Sequence, residues 1–219
     1  MNAKQAMKKA KKLAEQEAKM RLYPLYDFIL RMDKLEWTDD EQAGKYLITH
    51  WPYVKEELMA QRVDGQKLDL DAVKINMPEG VSVDMIQLQI DFSNLMNEAD
   101  MFFVNAKRYE EMITFFQDML EMFDLSGENK QLTRDNFTSA IGVAYHELGR
   151  KDERDRYFTE LLAGQERNDY VAAKYAFTLL EDKDLEKAEK LLANYRDSKD
   201  DMMLERLQWL EELKKGSHS

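Results

Sequence analysis

The chain has 219 residues, of which 44% are hydrophobic and 34% charged, with 8 Gly, 3 Pro, no Cys and a formal net charge of −11. Such a chain can bury a sizeable core, and its few Gly and Pro leave little material for the turns of a many-stranded sheet. Its composition favours helices, so the expected fold class is all-α. The missing Cys excludes disulfides, thiolate catalysis and Cys-based zinc or iron–sulfur sites.

In chain order, residues 3–22, AKQAMKKAKKLAEQEAKMRL, read as a helix whose weak apolar face is Ala3, Ala6, Met7, Ala10, Leu13 and Ala14. Pro24 either interrupts this helix or opens a second one with a heavier apolar load, LYDFILRM. Thr38-Asp39-Asp40-Glu41 has capping-box spacing and predicts a helix running to about Thr49. Pro52 is then expected as the first residue of another short helix, PYVKEELMAQRV. Over 64–81 the helical period is lost between the turn signals Asp64-Gly65 and Pro78-Glu79-Gly80. This stretch reads as an extended linker or a single edge-like strand. The expected organisation is an N-terminal helical module over 1–63 with a basic first helix, a linker over 64–81, and a regular helical region over 82–215. The last four residues, 216–219, are GSHS and resemble a cloning remnant or loose tail.

From Ser82 onward, long periodic stretches cover 83–105 and KRYEEMITFFQDMLEMF. After the polar loop DLSGENKQLTRD, helices are expected near 134–148, 152–163, 169–181 and 184–196, and DMMLERLQWLEELKK closes the chain. Three helix–turn–helix units align. Ala99-Asp100-x-x-Phe103 precedes a turn at Lys107-Arg108, Ile141-Gly142-x-x-Tyr145 a turn at Gly149, and Tyr175-Ala176-x-x-Leu179 a turn at Lys183-Asp184. Met112, Arg154 and Ala188 occupy matched positions after these turns, 42 and 34 residues apart. On these residues the chain resembles the tetratricopeptide repeat family over roughly 83–215, whose period is about 34 residues. The resemblance implies stacked antiparallel hairpins, capped by the closing helix, that bind a protein or peptide partner along the face of their first helices. Carried over, it points to Asn97, Asp100, Asn105, Arg134, Asn136, Lys174 and Phe177 as peptide-binding residues. Arg154 departs from the pattern, being large and charged where a small residue usually packs.

Catalytic constellations are scarce. His50, His146 and His218 share no metal-ligand spacing, and His146-Glu147 lacks the second histidine of a helical zinc motif because position 150 is Arg. A pocket around His50, Trp51 and Tyr53 is the one place where an enzymatic reading would have to converge. The carboxylate pairs have no spacing that singles out an acid and a base, and neither a phosphate loop nor a nucleophile elbow occurs. A non-catalytic scaffold with no cofactor and no metal is therefore expected. Residues 1–21 carry five more positive than negative charges, leaving −16 on the remainder. The acidic body opposes nucleic-acid binding. The alternative reading is a regulatory or nucleic-acid-associated factor that contacts an anionic surface through Lys4, Lys8, Lys11, Lys12 and Lys19. No uninterrupted apolar run reaches transmembrane length and the basic N-terminus lacks a signal-peptide core, so membrane insertion is not expected and the location expected is cytoplasmic.

Overall fold

The computed structural model describes residues 21–36, 40–164 and 167–216, together with Gln5, Met7, Lys8, Lys11 and Ala18. The described residues form nine α-helices and no strand beyond one isolated bridge, so the fold is all-α. They divide into two compact units: 1–108 with 121–124, and 109–120 with 125–219.

The first unit contains α1 (Pro24–Glu36), α2 (Asp40–Met59) and α3 (Met85–Asn105). Pro24 opens α1, where its missing N–H costs nothing, and Leu25, Phe28, Ile29 and Met32 give the helix one buried stripe. Pro52 does not begin a new helix. It lies inside α2, which runs unbroken for 20 residues. An interior proline costs on the order of 3 kcal/mol. The offset is visible in the spacing of Ala43, Leu47, Trp51, Val54 and Leu58, which hold one buried face across the proline. Thr38 and Asp39 of the expected capping box, and most of the expected helix over 3–22, lie outside the described residues. Gly44 permits a close approach of α2 to α3: a Cβ there would stand 2.4 Å from the Phe102 carbonyl oxygen.

Residues 64–81 belong to this unit, and the division between units falls at Arg108/Tyr109 instead. Asp64 and Gly65 are consecutive left-handed residues (φ 50° and 75°), and a 3-10 turn follows at Leu70–Ala72. Leu68 exchanges backbone hydrogen bonds with Met122 and Asp124 in a single parallel bridge to Phe123. Leu70, Val73 and Ile75 are buried, while Gln61 pairs with the Lys74 backbone and Gln89 donates to the Val73 carbonyl. These bonds explain the lost helical period: the segment is an apolar strap laid over α2 and α3. Asp84 caps α3 by accepting from the Ile86 and Gln87 amides.

The second unit contains most of α4 (Tyr109–Met122), then α5 (Gln131–Glu147), α6 (Lys151–Ala163), α7 (Asp169–Glu181), α8 (Leu185–Leu192) and α9 (Asp201–Gly216). The polar loop is shorter than its sequence implies, because a 3-10 turn over Glu128–Lys130 leads directly into α5. α8 likewise ends early, tightening into a 3-10 turn at Ala193–Tyr195. Gly142 on α5 lets Phe158 of α6 approach so closely that a Cβ there would sit 2.3 Å from the ring. Phe158, Val171, Tyr175, Leu179, Leu192, Met203 and Leu210 lie in one continuous apolar core.

The three hairpin turns expected from the sequence share one geometry. Arg108 N–H bonds to the Phe103 carbonyl and Lys107 N–H to that of Val104; Arg150 pairs in the same way with Tyr145 and Gly149 with His146; Asp184 pairs with Leu179 and Lys183 with Leu180. Lys107, Gly149 and Lys183 each take positive φ (52°, 71° and 57°). This is the Schellman arrangement, in which one left-handed residue lets two terminal carbonyls be satisfied. The turns recur at the 42- and 34-residue spacings read from the sequence.

Candidate binding face

α7 is the central helix of the second unit, and its sequence, DYVAAKYAFTLLE, explains how. Small residues (Ala172, Ala173, Ala176) and larger apolar ones (Val171, Leu179, Leu180) bury almost its whole circumference. Past its first residue, only Tyr170, Lys174, Phe177 and Glu181 stay open to solvent. At 100° per residue these four fall within about 60° of one another, so they make a single strip along the helix.

Neighbouring helices build on that strip. Tyr170 Oη donates to Asn136 Oδ1 on α5 (3.1 Å), and the Lys174 ammonium lies 5.5 Å from the centre of the Tyr170 ring. The Phe177 ring meets Trp209 of α9 at 6.0 Å, and the Arg206 guanidinium stands 5.3 Å from the Phe177 centroid. Such pairs add roughly 0.5–1.5 kcal/mol each to simple burial. At the far end Glu181 meets His146 of α5. The face therefore alternates aromatic rings with cations: Tyr170, Lys174, Phe177, Arg206 and Trp209. Arg134 donates to the Leu125 carbonyl and lies beside Asp135, on the helix that also carries Asn136.

Of the residues expected from sequence, the fold thus brings Asn136, Lys174 and Phe177 into one face, with Arg134 on the flanking α5. Asn97, Asp100 and Asn105 lie on α3 in the first unit, where Asn97 donates to the Ser93 carbonyl and Asp100 accepts from the Met101 amide. Tyr170, Arg206 and Trp209 were missed. The 170-174-177-181 spacing held the signal for Tyr170, whereas the α9 contribution depends on which way the capping helix turns. Lys8 and Lys11 are exposed, and Lys4, Lys12 and Lys19 lie outside the described residues.

The cluster around Arg154 is the most heavily charged part of the interior. Its side chain is only 1% exposed. It donates to Asp155 through Nε and Nη2 (2.8 and 2.7 Å), and through Nη1 to Asp182 (2.5 Å) and the Thr178 carbonyl (3.2 Å). Lys151 completes Asp182 at 2.9 Å, and Lys187 completes Asp155 at 2.6 Å. Burial opposes each of these charges, but the opposite charges and hydrogen bonds win. Arg154 is held more firmly protonated than usual, and Asp155 and Asp182 are held below the ordinary carboxylate range. The large residue that breaks the repeat pattern is therefore a closed ionic junction linking α6 to the C-terminal end of α7.

His146, Glu147 and Glu181 place three potential metal-ligand atoms within 4.8 Å of one another, the one such group among the described residues. The hydrogen-bond partners of His146 favour a tautomer that leaves no lone pair for a cation there. His146 Nδ1 faces Arg154 Nη1 at 3.3 Å, and a guanidinium can only donate. The neutral tautomer that satisfies both ring nitrogens carries its proton on Nε2, which then donates to Glu181 Oε2 at 3.0 Å. A metal would need the lone pair of that same nitrogen, and moving the proton to Nδ1 would set two donors against each other. The group fits a hydrogen-bonded link between α5 and α7.

Of the residues named for a possible catalytic pocket, His50 and Tyr53 have separate partners. His50 stacks on Tyr46 at 3.9 Å and bonds through Nδ1 to the Tyr46 carbonyl, Trp51 is buried, and Tyr53 Oη accepts from Arg21. Among the described residues, no helix is long and apolar enough to cross a membrane. No protein-family model, curated protein or solved structure matches the chain.

Proposed function

We propose that the second unit is a non-catalytic scaffold that binds a peptide or protein segment along the α5–α7–α9 face, in the manner of a tetratricopeptide-like repeat. The observation that carries this reading is the single open strip on an otherwise buried helix. A core helix needs no such strip, and here it bears two aromatics and a cation, with Arg206 and Trp209 added from α9. Aromatic rings and Arg are the side chains enriched where binding energy concentrates. The cations favour a ligand with carboxylate groups, and the rings favour one with an apolar side chain between them.

The test is affinity capture from the native cell with the wild-type chain and with Lys174→Glu/Phe177→Ala, both checked for equal helicity by circular dichroism. A partner retained by the wild type and reduced about tenfold or more by the double variant supports the reading; a truncated anchor and a reversed charge should each remove at least about 1 kcal/mol. Equal recovery with both chains, or none with either, removes it.

A further inference from the structure

α3 carries a second face, in the first unit, that the strip on α7 does not involve. Its core side holds Leu88, Phe92, Leu95, Met96, Ala99, Phe102 and Phe103. Its opposite side exposes Ile86 (67%), Ile90 (47%), Met101 (53%) and Val104 (36%). On a helical wheel these four lie within about 60° of one another, with Asn97 in the middle, and they extend about 27 Å along the axis. Scattered exposed apolar residues need no explanation, but an aligned row of them on one helix marks an interaction surface.

Charge identifies what fits it. From Ile75 to Ala106 the sequence holds Glu79, Asp84, Asp91, Glu98 and Asp100 and no Lys, Arg or His; the next cations are Lys107 and Arg108 in the turn. By the same wheel, Asp91 and Glu98 border the apolar row on one side and Asp100 on the other. A second copy of the chain would set carboxylates against carboxylates along the whole row, and so is disfavoured. A helix with an apolar seam and basic flanks meets both features at once.

We propose that the outer face of α3 docks a basic amphipathic helix of a partner protein. An apolar seam at i, i+4, i+7, i+11, i+14 and i+18 of that helix spans the row from Ile86 to Val104, and its Lys or Arg flanks face Asp91, Glu98 and Asp100. This surface shares no residue with the face on α7, so either proposal survives the failure of the other.

The experiment is fluorescence anisotropy on the full chain. The probe is a dye-labelled synthetic helix of about 19 residues, with Leu at the stated spacing and Lys on both flanks. A control peptide carries Glu for every Lys. The expected result is saturable one-to-one binding of the Lys peptide alone, weakened about tenfold between low and moderate salt. Ile90→Ser/Met101→Ser and Asp91→Asn/Glu98→Gln should each weaken it about tenfold or more. Both variants change partly exposed positions, and unaltered circular dichroism confirms the fold. Four outcomes overturn the proposal. The Lys peptide fails to bind; both variants bind it as the wild type does; the Glu peptide binds equally; or the wild type sediments as a dimer that Ile90→Ser/Met101→Ser dissociates. A fifth reassigns the face to the chain's own basic segment, and so also overturns it: binding that appears only after Lys4, Lys8, Lys11, Lys12 and Lys19 are replaced by Glu.

Discussion

Replacing Arg154 with Met keeps an unbranched stem, shorter by the guanidinium end, and removes the charge and all the side-chain hydrogen bonds. Breaking a buried ion pair by deleting one partner typically costs about 3–5 kcal/mol, because the other charge is left uncompensated. Here the remaining charges are not stranded. Asp182 keeps Lys151 at 2.9 Å, and Asp155 keeps Lys187 at 2.6 Å. The cost should therefore fall below that range, at about 2 kcal/mol, from the lost charge-assisted bonds and the weakened pairing of His146 Nδ1, since the Thr178 carbonyl still accepts from the Asp182 amide. Arg154→Ala adds a cavity and should cost about 3–4 kcal/mol. Urea unfolding at neutral pH measures both through the midpoint at unchanged slope. The pH dependence supplies an independent check. Asp155 and Asp182 have depressed folded-state pKa values, so the stability they contribute is present above the unfolded value of about 3.9 and is lost as pH falls through the folded values. The gap between wild type and Arg154→Met should be full at pH 7 and close in strong acid. A Met variant as stable as the wild type, or more so, would refute the reasoning, since it would mean that desolvation of the junction outweighs its Coulombic gain.

Close-packed and left-handed positions yield further outcomes for the same urea assay. Gly142→Ala should destabilise by about 1–3 kcal/mol through overpacking against Phe158, despite the roughly 1 kcal/mol better helix propensity of Ala. Gly44→Ala should cost more than Gly142→Ala, because the obstacle at 2.4 Å is a backbone carbonyl that cannot rotate away. Gly149→Ala, at φ +71°, should lose about 1–2 kcal/mol, while Lys183→Gly, at φ +57°, should gain up to about 1 kcal/mol by relieving the same strain. A Lys183→Gly variant less stable than the wild type would show that the turn is set by contacts of the lysine side chain.

Much of the second unit was legible because its signals are local. Gly149 and Lys183 mark the ends of helices whose apolar period restarts a few residues later, and α6 and α7 begin and end within a residue or two of expectation. Pro52 was misread because proline propensity is local, whereas the buried face from Ala43 to Leu58 that carries α2 through it is tertiary. The strap over 64–81 reads from sequence only as an extended linker or an edge-like strand, because its bonds go to Met122, Asp124, Gln61 and Gln89, all distant in sequence or outside the segment. At the candidate site, Lys174 and Phe177 follow from helical spacing. Arg206 and Trp209 require knowing how α9 lies on α7, which no periodicity encodes. Arg154 was legible as an anomaly, but its partners, Asp182 28 residues away and Thr178 24 away, were not.

Those partners also bear on how the strip is presented. At its start, α7 is capped by Asn168, whose Oδ1 accepts from the Val171 amide while its Nδ2 donates to the buried Asp135 of α5 at 2.8 Å. At its end, Thr178 and Asp182 are tied to Arg154 of α6. Between these two polar ties the contacts of α7 are mainly apolar, and apolar surfaces alone tolerate sliding by a turn or rotation about the axis. Directional bonds at both ends do not: a shift of one residue would move Asn168 away from Asp135 and Asp182 away from Arg154. The ties therefore fix both the rotation and the register of the helix that carries Tyr170, Lys174, Phe177 and Glu181. Keeping an unbranched stem at Arg154 would then not be enough to preserve the face. Arg154→Met should keep the helices but loosen the Phe177–Trp209 contact, visible as increased solvent quenching of tryptophan fluorescence under conditions where the chain remains folded. Unchanged quenching alongside the expected loss of stability would separate the two roles and leave Arg154 a stabilising residue alone.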